Sequence, residues 1–120
     1  MNADLDIVSC EDLQLIADSF GDEAFVMHCG PYDESRFLAR FEVDTGKEHE
    51  DPVALINKFC GLISNLSLEA KVLWDHAAER SIDLGFGSDG DANVLNCKIP
   101  VEVLKRLSEL NIELHSTIYP

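Results

Sequence analysis

The 120-residue sequence predicts a single α+β domain over residues 1–120, with an antiparallel or mixed sheet and helices packed mainly on one face. Three observations predict it. Residues 36–43 alternate between apolar and polar side chains, as a strand with one buried face does. From Val53 onward a broad apolar stripe recurs at helical spacing. The last third switches quickly between short strand-like and helix-like runs, and no repeat, low-complexity stretch or linker divides the chain.

The elements follow in order. Ser9 with Asp12 resembles a capping box, and Leu13, Ile16, Ala17 and Phe20 then repeat at helical spacing up to Gly21, predicting a short helix over about 10–20 with Glu11 and Asp12 in its first turn. Residues 24–29 are apolar on both alternating faces and read as a buried strand, with Gly30-Pro31-Tyr32-Asp33 as turn chemistry. In 36–43, Phe37, Ala39, Phe41 and Val43 share one face and Arg36, Leu38, Arg40 and Glu42 the other, so the two runs form a hairpin. A polar loop, 44–50, leads to Asp51-Pro52, an N-cap followed by a helix-starting proline.

The helix from Val53 buries Val53, Ile56, Phe59, Cys60 and Ile63, and Asn65-Leu66-Ser67 breaks it. Ser67 caps a second helical stretch in which Leu68, Val72 and Leu73 are partly buried and Trp74 is a core anchor. Strands are expected at 81–86, 94–99 and 112–119, with a turn after the first. The helix PVEVLKRLSEL at 100–110 separates the last two, with Pro100 in its first turn and Val103, Leu104, Leu107 and Leu110 facing the sheet. Asn111 is suited to the left-handed position that ends this helix.

Charge is concentrated. The first 35 residues carry nine carboxylates and no Lys or Arg, and the chain to Asp51 accounts for −11 of the net −14. A field of this sign repels nucleic acid and anionic membrane and speeds encounter with basic partners. A hydrophobic fraction of 46% is too high for a disordered acidic tail, so the acids decorate a folded surface. No apolar run approaches the roughly 20 residues that span a bilayer. The start MNADLDIVSC is acidic where a secretory signal is basic and then apolar, so a cytoplasmic location is expected.

Cys10, Cys29, Cys60 and Cys97 are far apart without a CxxC pair, which predicts mostly buried free thiols and neither a disulfide framework nor a zinc site with His28, His49, His76 and His115. Gly85, Gly87 and Gly90 have the spacing of a dinucleotide fingerprint, but a strand pattern follows and Asp89 would repel a pyrophosphate. Asp89, Asp91 and Asn93 begin like a calcium loop, yet Val94 and Pro100 stand where glycine and glutamate are needed. His49 lies between Glu48 and Glu50 in a loop, His28 and Cys29 point to opposite faces of a strand, and Asp75, His115 and Ser116 have no spacing that brings them together. No catalytic residue, cofactor or metal is therefore assigned, and an enzyme is not expected.

From about Pro52 to Tyr119 the chain resembles a group of short bacterial proteins catalogued as a domain of unknown function. The resemblance lies in the helix VALINKFCGLISNL, the stretch LWDHAAERSIDLGF and the ending IPVEVLKRLSELNIELHSTIY. It implies a bacterial α+β domain and carries no catalytic residues. By type, a small acidic chain without catalytic furniture is similar to the immunity proteins of contact-dependent growth inhibition. That similarity implies direct neutralisation of a basic toxin of the nuclease class, with carboxylates standing in for phosphates. The expected partner-binding residues are Asp33, Glu34, Asp44, Glu48, Glu50 and Asp51, because they fall in or beside loops and turns. The protein is expected to be a monomer before binding. A secretion-type chaperone, with apolar grooves and a dimerising helix, is the alternative class.

Overall fold

A computed structural model describes residues 1–87 and 96–119. Five strands form one mixed sheet: β1 (Asn2–Ser9), β2 (Phe25–Pro31), β3 (Phe37–Glu42), β4 (Glu79–Gly87) and β5 (Glu113–Tyr119). The helices are α1 (Gln14–Phe20), α2 (Pro52–Ser64), α3 (Leu68–His76) and α4 (Val101–Glu109), with a 3-10 turn at Gly21–Glu23. The spatial order is β2-β3-β1-β4-β5. All pairs are antiparallel except β4 with β5. The first four strands thus have the split βαβ arrangement, with β1 central, and α4 is the crossover that brings β5 alongside β4.

The α+β class and mixed sheet are as the sequence predicts. The central strand is new. In β1, Ala3, Leu5 and Ile7 are buried while Asn2, Asp4 and Asp6 face outward, a period-2 pattern in which the polar half consists mostly of acids. The core joins these residues to Ala39 and Phe41 of β3, Ile82, Leu84 and Phe86 of β4, and the inward faces of the helices. Phe20 meets Phe41 edge-on, with ring centroids 4.9 Å apart. In α2, Leu55, Ile56, Phe59, Cys60 and Ile63 are buried, and Asp51 caps it by accepting the Ala54 N–H at 3.1 Å. Ser67 caps α3 in the same way, through Ala70.

Several expectations are corrected. The first helix starts at Gln14, four residues late. Ser9 is buried and accepts from the Glu11 N–H, and Asp12 accepts from the Gln14 N–H, so both shape the turn after β1 rather than a capping box. Residues 25–31 form a strand, but an exposed one at the sheet edge. On α3, Ala70, Trp74 and Ala77 mark the buried stripe at i, i+4 and i+7, and this turns Leu68 and Val72 to solvent. The small alanines hide that stripe in the sequence. On α4, Val103 and Leu107 are buried and Leu110 partly so, and Leu104 lies on the flank at 46% exposure. Pro100 occupies the N-cap rather than the first turn.

Residues 96–99 are irregular rather than a strand; the rest of that expected strand, the preceding turn and the calcium-like residues lie outside the described residues. Cys60 alone of the four cysteines is fully buried, because Cys10 falls in the turn after β1, Cys29 is on the edge strand and Cys97 is in the irregular segment. Trp74 is 1% exposed, as expected, and its indole N–H donates to the Leu110 carbonyl at 3.3 Å. Asn111 takes φ 58° at the end of α4.

Candidate protein-binding face

The helices cover one face of the sheet, and the other carries the outward halves of all five strands. Register defines its rows. One row runs Phe25, Glu42, Asp4, Asp83, His115, and the next His28, Arg40, Asp6, Ser81, Glu113. Val8 and Leu38 are buried at the floor beside Glu79, where a shallow pocket of about 180 Å³ lies between Tyr32, Arg40, Glu79 and His115. Among the described residues the face therefore presents six carboxylates, Asp4, Asp6, Glu42, Glu79, Asp83 and Glu113, against the guanidinium of Arg40, with Arg36 at its rim over the Tyr32 ring and paired to Asp33. Arg80, next to Glu79 in sequence, points to the helical side, where it donates to the carbonyls of Trp74, Ala77 and Asn111.

Neighbours hold these acids in place. Arg40 forks onto Asp6 through Nε at 2.8 Å and Nη2 at 2.9 Å, which raises its own pKa. Asp83 accepts from Thr117 Oγ1, 3.0 Å from each carboxylate oxygen, and Glu42 accepts from the Asn2 amide at 3.2 Å. Asp4 sits between Glu42 and Asp83. Partial burial, then the charge and hydrogen bond of Glu42 and the charge of Asp6, push its carboxyl up to about 6, against a smaller opposing pull from Arg40.

The six acids expected from the sequence to contact a partner lie elsewhere, at opposite ends of β3 and so about 20 Å apart by strand rise. Asp33 closes the β2–β3 loop by accepting the Ser35 and Arg36 N–H groups and pairing with the Arg36 guanidinium at 2.7 Å, which holds its carboxyl down at about 2. Asp44 accepts from the Gly46 N–H, and Glu50 from the N–H and hydroxyl of Thr45, which lowers its pKa. Asp51 is the cap of α2. Glu34 and Glu48 are exposed. Four of the six thus have local structural bonds, whereas the face acids Asp4, Asp6, Glu42, Glu79, Asp83 and Glu113 were missed. Part of their signal is the alternation within NADLDIVS and SIDLGF, where Asp4, Asp6 and Asp83 each stand between apolar neighbours.

The face continues into the edge strand β2, where Phe25, Val26 and Met27 are 55%, 51% and 54% exposed in succession. Leaving half of such side chains in water forgoes about 1 kcal/mol each. A register shift between Val26 and His28 marks a bulge at this point.

His28, Cys29, His49, Asp75, His115 and Ser116 do not come together in a catalytic arrangement. His28 pairs with Arg40 on the open face and Cys29 with Ala39 on the core face, so they point apart. Burial, with Asp12 and Asp18 nearby, pushes the Cys29 thiol up and away from a reactive thiolate. Asp75 pairs with Lys71 on α3, remote in topology from His115 and Ser116, which themselves alternate along β5. His49 lies in the exposed 44–50 loop. Among the described residues, no group of three His, Cys, Asp or Glu side chains is placed to hold a metal ion, and no helix is long and apolar enough to cross a membrane. No family model, curated protein or solved structure matches the chain.

Proposed function

We propose that this is a cytoplasmic binding protein that engages a basic protein partner through the sheet face opposite its helices, acting as an immunity-type inhibitor that masks the cationic cleft of a nuclease-class toxin. The observation that carries this reading is the set of six carboxylates on one sheet face, where Arg40 is forked onto Asp6 and Arg36 at the rim is paired to Asp33. Cross-strand partners hold three of these acids, so a cationic surface meets pre-positioned acceptors and little side-chain entropy is lost on binding. A cleft built for phosphates presents Lys and Arg at spacings that carboxylates on adjacent strands can satisfy.

The test couples capture to protection. Proteins retained by the immobilised chain at low salt and released at high salt are identified, and each is expressed in cells with the wild type or with a Glu79→Gln, Asp83→Asn, Glu113→Gln variant. The expected result is a toxic basic protein neutralised by the wild type and less well by the variant. Retention that ignores ionic strength, or equal protection by both forms, overturns the reading.

A secretion-type chaperone is the second reading, favoured by the solvent-facing Leu68 and Val72 one turn apart on α3. Sedimentation decides between them, because that reading requires a dimer through a helix.

A further inference from the structure

We infer that the free edge of β2 is a strand-addition site for an extended segment of the basic partner, with an apolar centre and Lys or Arg on both sides. This rests on the basic-partner reading above and specifies how that partner docks.

The edge has backbone to offer. Among the described residues β2 is first in the sheet order and pairs with β3 alone, so one row of its N–H and C=O groups is unclaimed by the described sheet. It also has side chains to bury, since Phe25, Val26 and Met27 lie exposed next to one another. Phe25 stands on the open face beside Glu42, and Val26 on the helical side beside Phe41, so an added strand meets apolar surface on both of its faces.

Charge selects the occupant. Asp22 and Glu23, separated from the apolar trio by the buried Ala24, are exposed. Beyond it, Asp12 and Asp18 lie close enough to Cys29 for their field to act on its thiol, and Glu34 follows in the loop beside the Asp33–Arg36 pair. The apolar segment is thus bracketed by carboxylates, and a strand running along it meets them with its two ends. The same arrangement disfavours a second copy of the chain, because the first 35 residues hold nine carboxylates and no Lys or Arg, and two such edges repel. The bulge at Met27 further limits pairing between identical edges.

The probe is a synthetic peptide of about eight residues with Val at the centre and Lys on both sides. One control replaces the central Val residues by Pro, which keeps the charge but cannot complete a ladder, and another replaces Lys by Glu. The first peptide is expected to bind at least about tenfold more tightly than either control. It should also slow amide hydrogen exchange in Phe25–Cys29 and leave β5 unprotected. Val26→Lys and Met27→Lys, made separately and checked for an unchanged thermal midpoint, should each weaken it by about tenfold.

Equal binding of the Val-centred and Pro-centred Lys peptides, or protection of the open face without β2, overturns strand addition and leaves the basic-partner reading standing. Equal binding of the Lys and Glu peptides with β2 protected overturns the charge requirement and with it the basic-partner reading. No binding by either Lys peptide, or a dimer joined through β2, overturns the inference altogether.

Discussion

Asp4 on β1 lies directly opposite Glu42 on β3, and the two carboxyls form the crowded centre of the open sheet face. Like charges opposed across a ladder destabilise it unless one takes a proton. Burial and Glu42 together raise Asp4 from the ordinary carboxylate range to about 6.

That shift fixes the sign of a pH dependence. The folded chain holds the Asp4 proton more tightly than the unfolded chain, so its stabilising contribution is fully present below about 4 and is lost as pH rises through about 6. Asp4→Asn should therefore stabilise the protein at neutral pH, by less than about 1 kcal/mol given the solvent screening of a partly exposed site. Urea midpoints of the two proteins at several pH values check this. A gap that widens on acidification would contradict it.

Core substitutions should separate two leucine-rich helices. Phe59 is fully buried on α2, so Phe59→Ala should cost about 3–5 kcal/mol. Leu104, on the exposed flank of α4, should cost less than about 1 kcal/mol when changed to Ala. Chemical denaturation of both variants measures the difference, and equal losses would place Leu104 in the core after all.

Arg80 closes the end of α3 by donating to the carbonyls of Trp74 at 2.9 Å and Ala77 at 2.8 Å, and it reaches Asn111 at 3.1 Å. Arg80→Ala should cost about 1–3 kcal/mol by leaving these acceptors unserved. Lysine, a single point donor, should recover only part of it. The thermal midpoints should fall in the order wild type, Lys, Ala.

The two sets of acids should behave differently on reversal. Changing Glu48, Glu50 and Asp51 to Lys together removes the α2 cap and the Thr45 brace, so the triple variant should lose about 1–3 kcal/mol of stability besides any effect on binding. Glu34→Gln with Glu48→Gln should leave folding intact. Association rates with a basic partner, measured against ionic strength, should change less for that pair than for Glu79→Gln with Glu113→Gln on the sheet. The opposite ranking would return the binding role to the loops.

Much of the architecture is legible in residue order where a local rule and the tertiary role agree. The alternation over 36–43 is readable because one face of β3 is buried and the other solvated, and Asp51-Pro52, Ser67 and Asn111 mark helix ends by their own backbone chemistry. The strand β1 is hidden because Asp4 and Asp6 draw attention as charge, although they are the outward half of a period-2 pattern. Residues 24–29 mislead in the opposite sense: continuous apolarity is the mark of a buried strand, yet here it lies at an edge. The acidic face is illegible for a related reason. Its members come from β1, β3, β4 and β5, and only the pairing of Asp4 with both Glu42 and Asp83 brings them together.

The central position of β1 also governs the order in which the molecule can assemble. Its partners are Phe37–Glu42 on one side and Glu79–Gly87 on the other, with Asn2 paired to Gly85 across most of the chain. During synthesis β1 must wait for β4 before its second edge is covered, while the β2–β3 hairpin can close at once. Such long-range closure slows folding, and until it occurs the nascent chain displays Leu5 and Ile7 on a strand with an open edge. The outward acids of that same strand then act as gatekeepers, holding nascent chains apart during the interval in which they are most prone to associate.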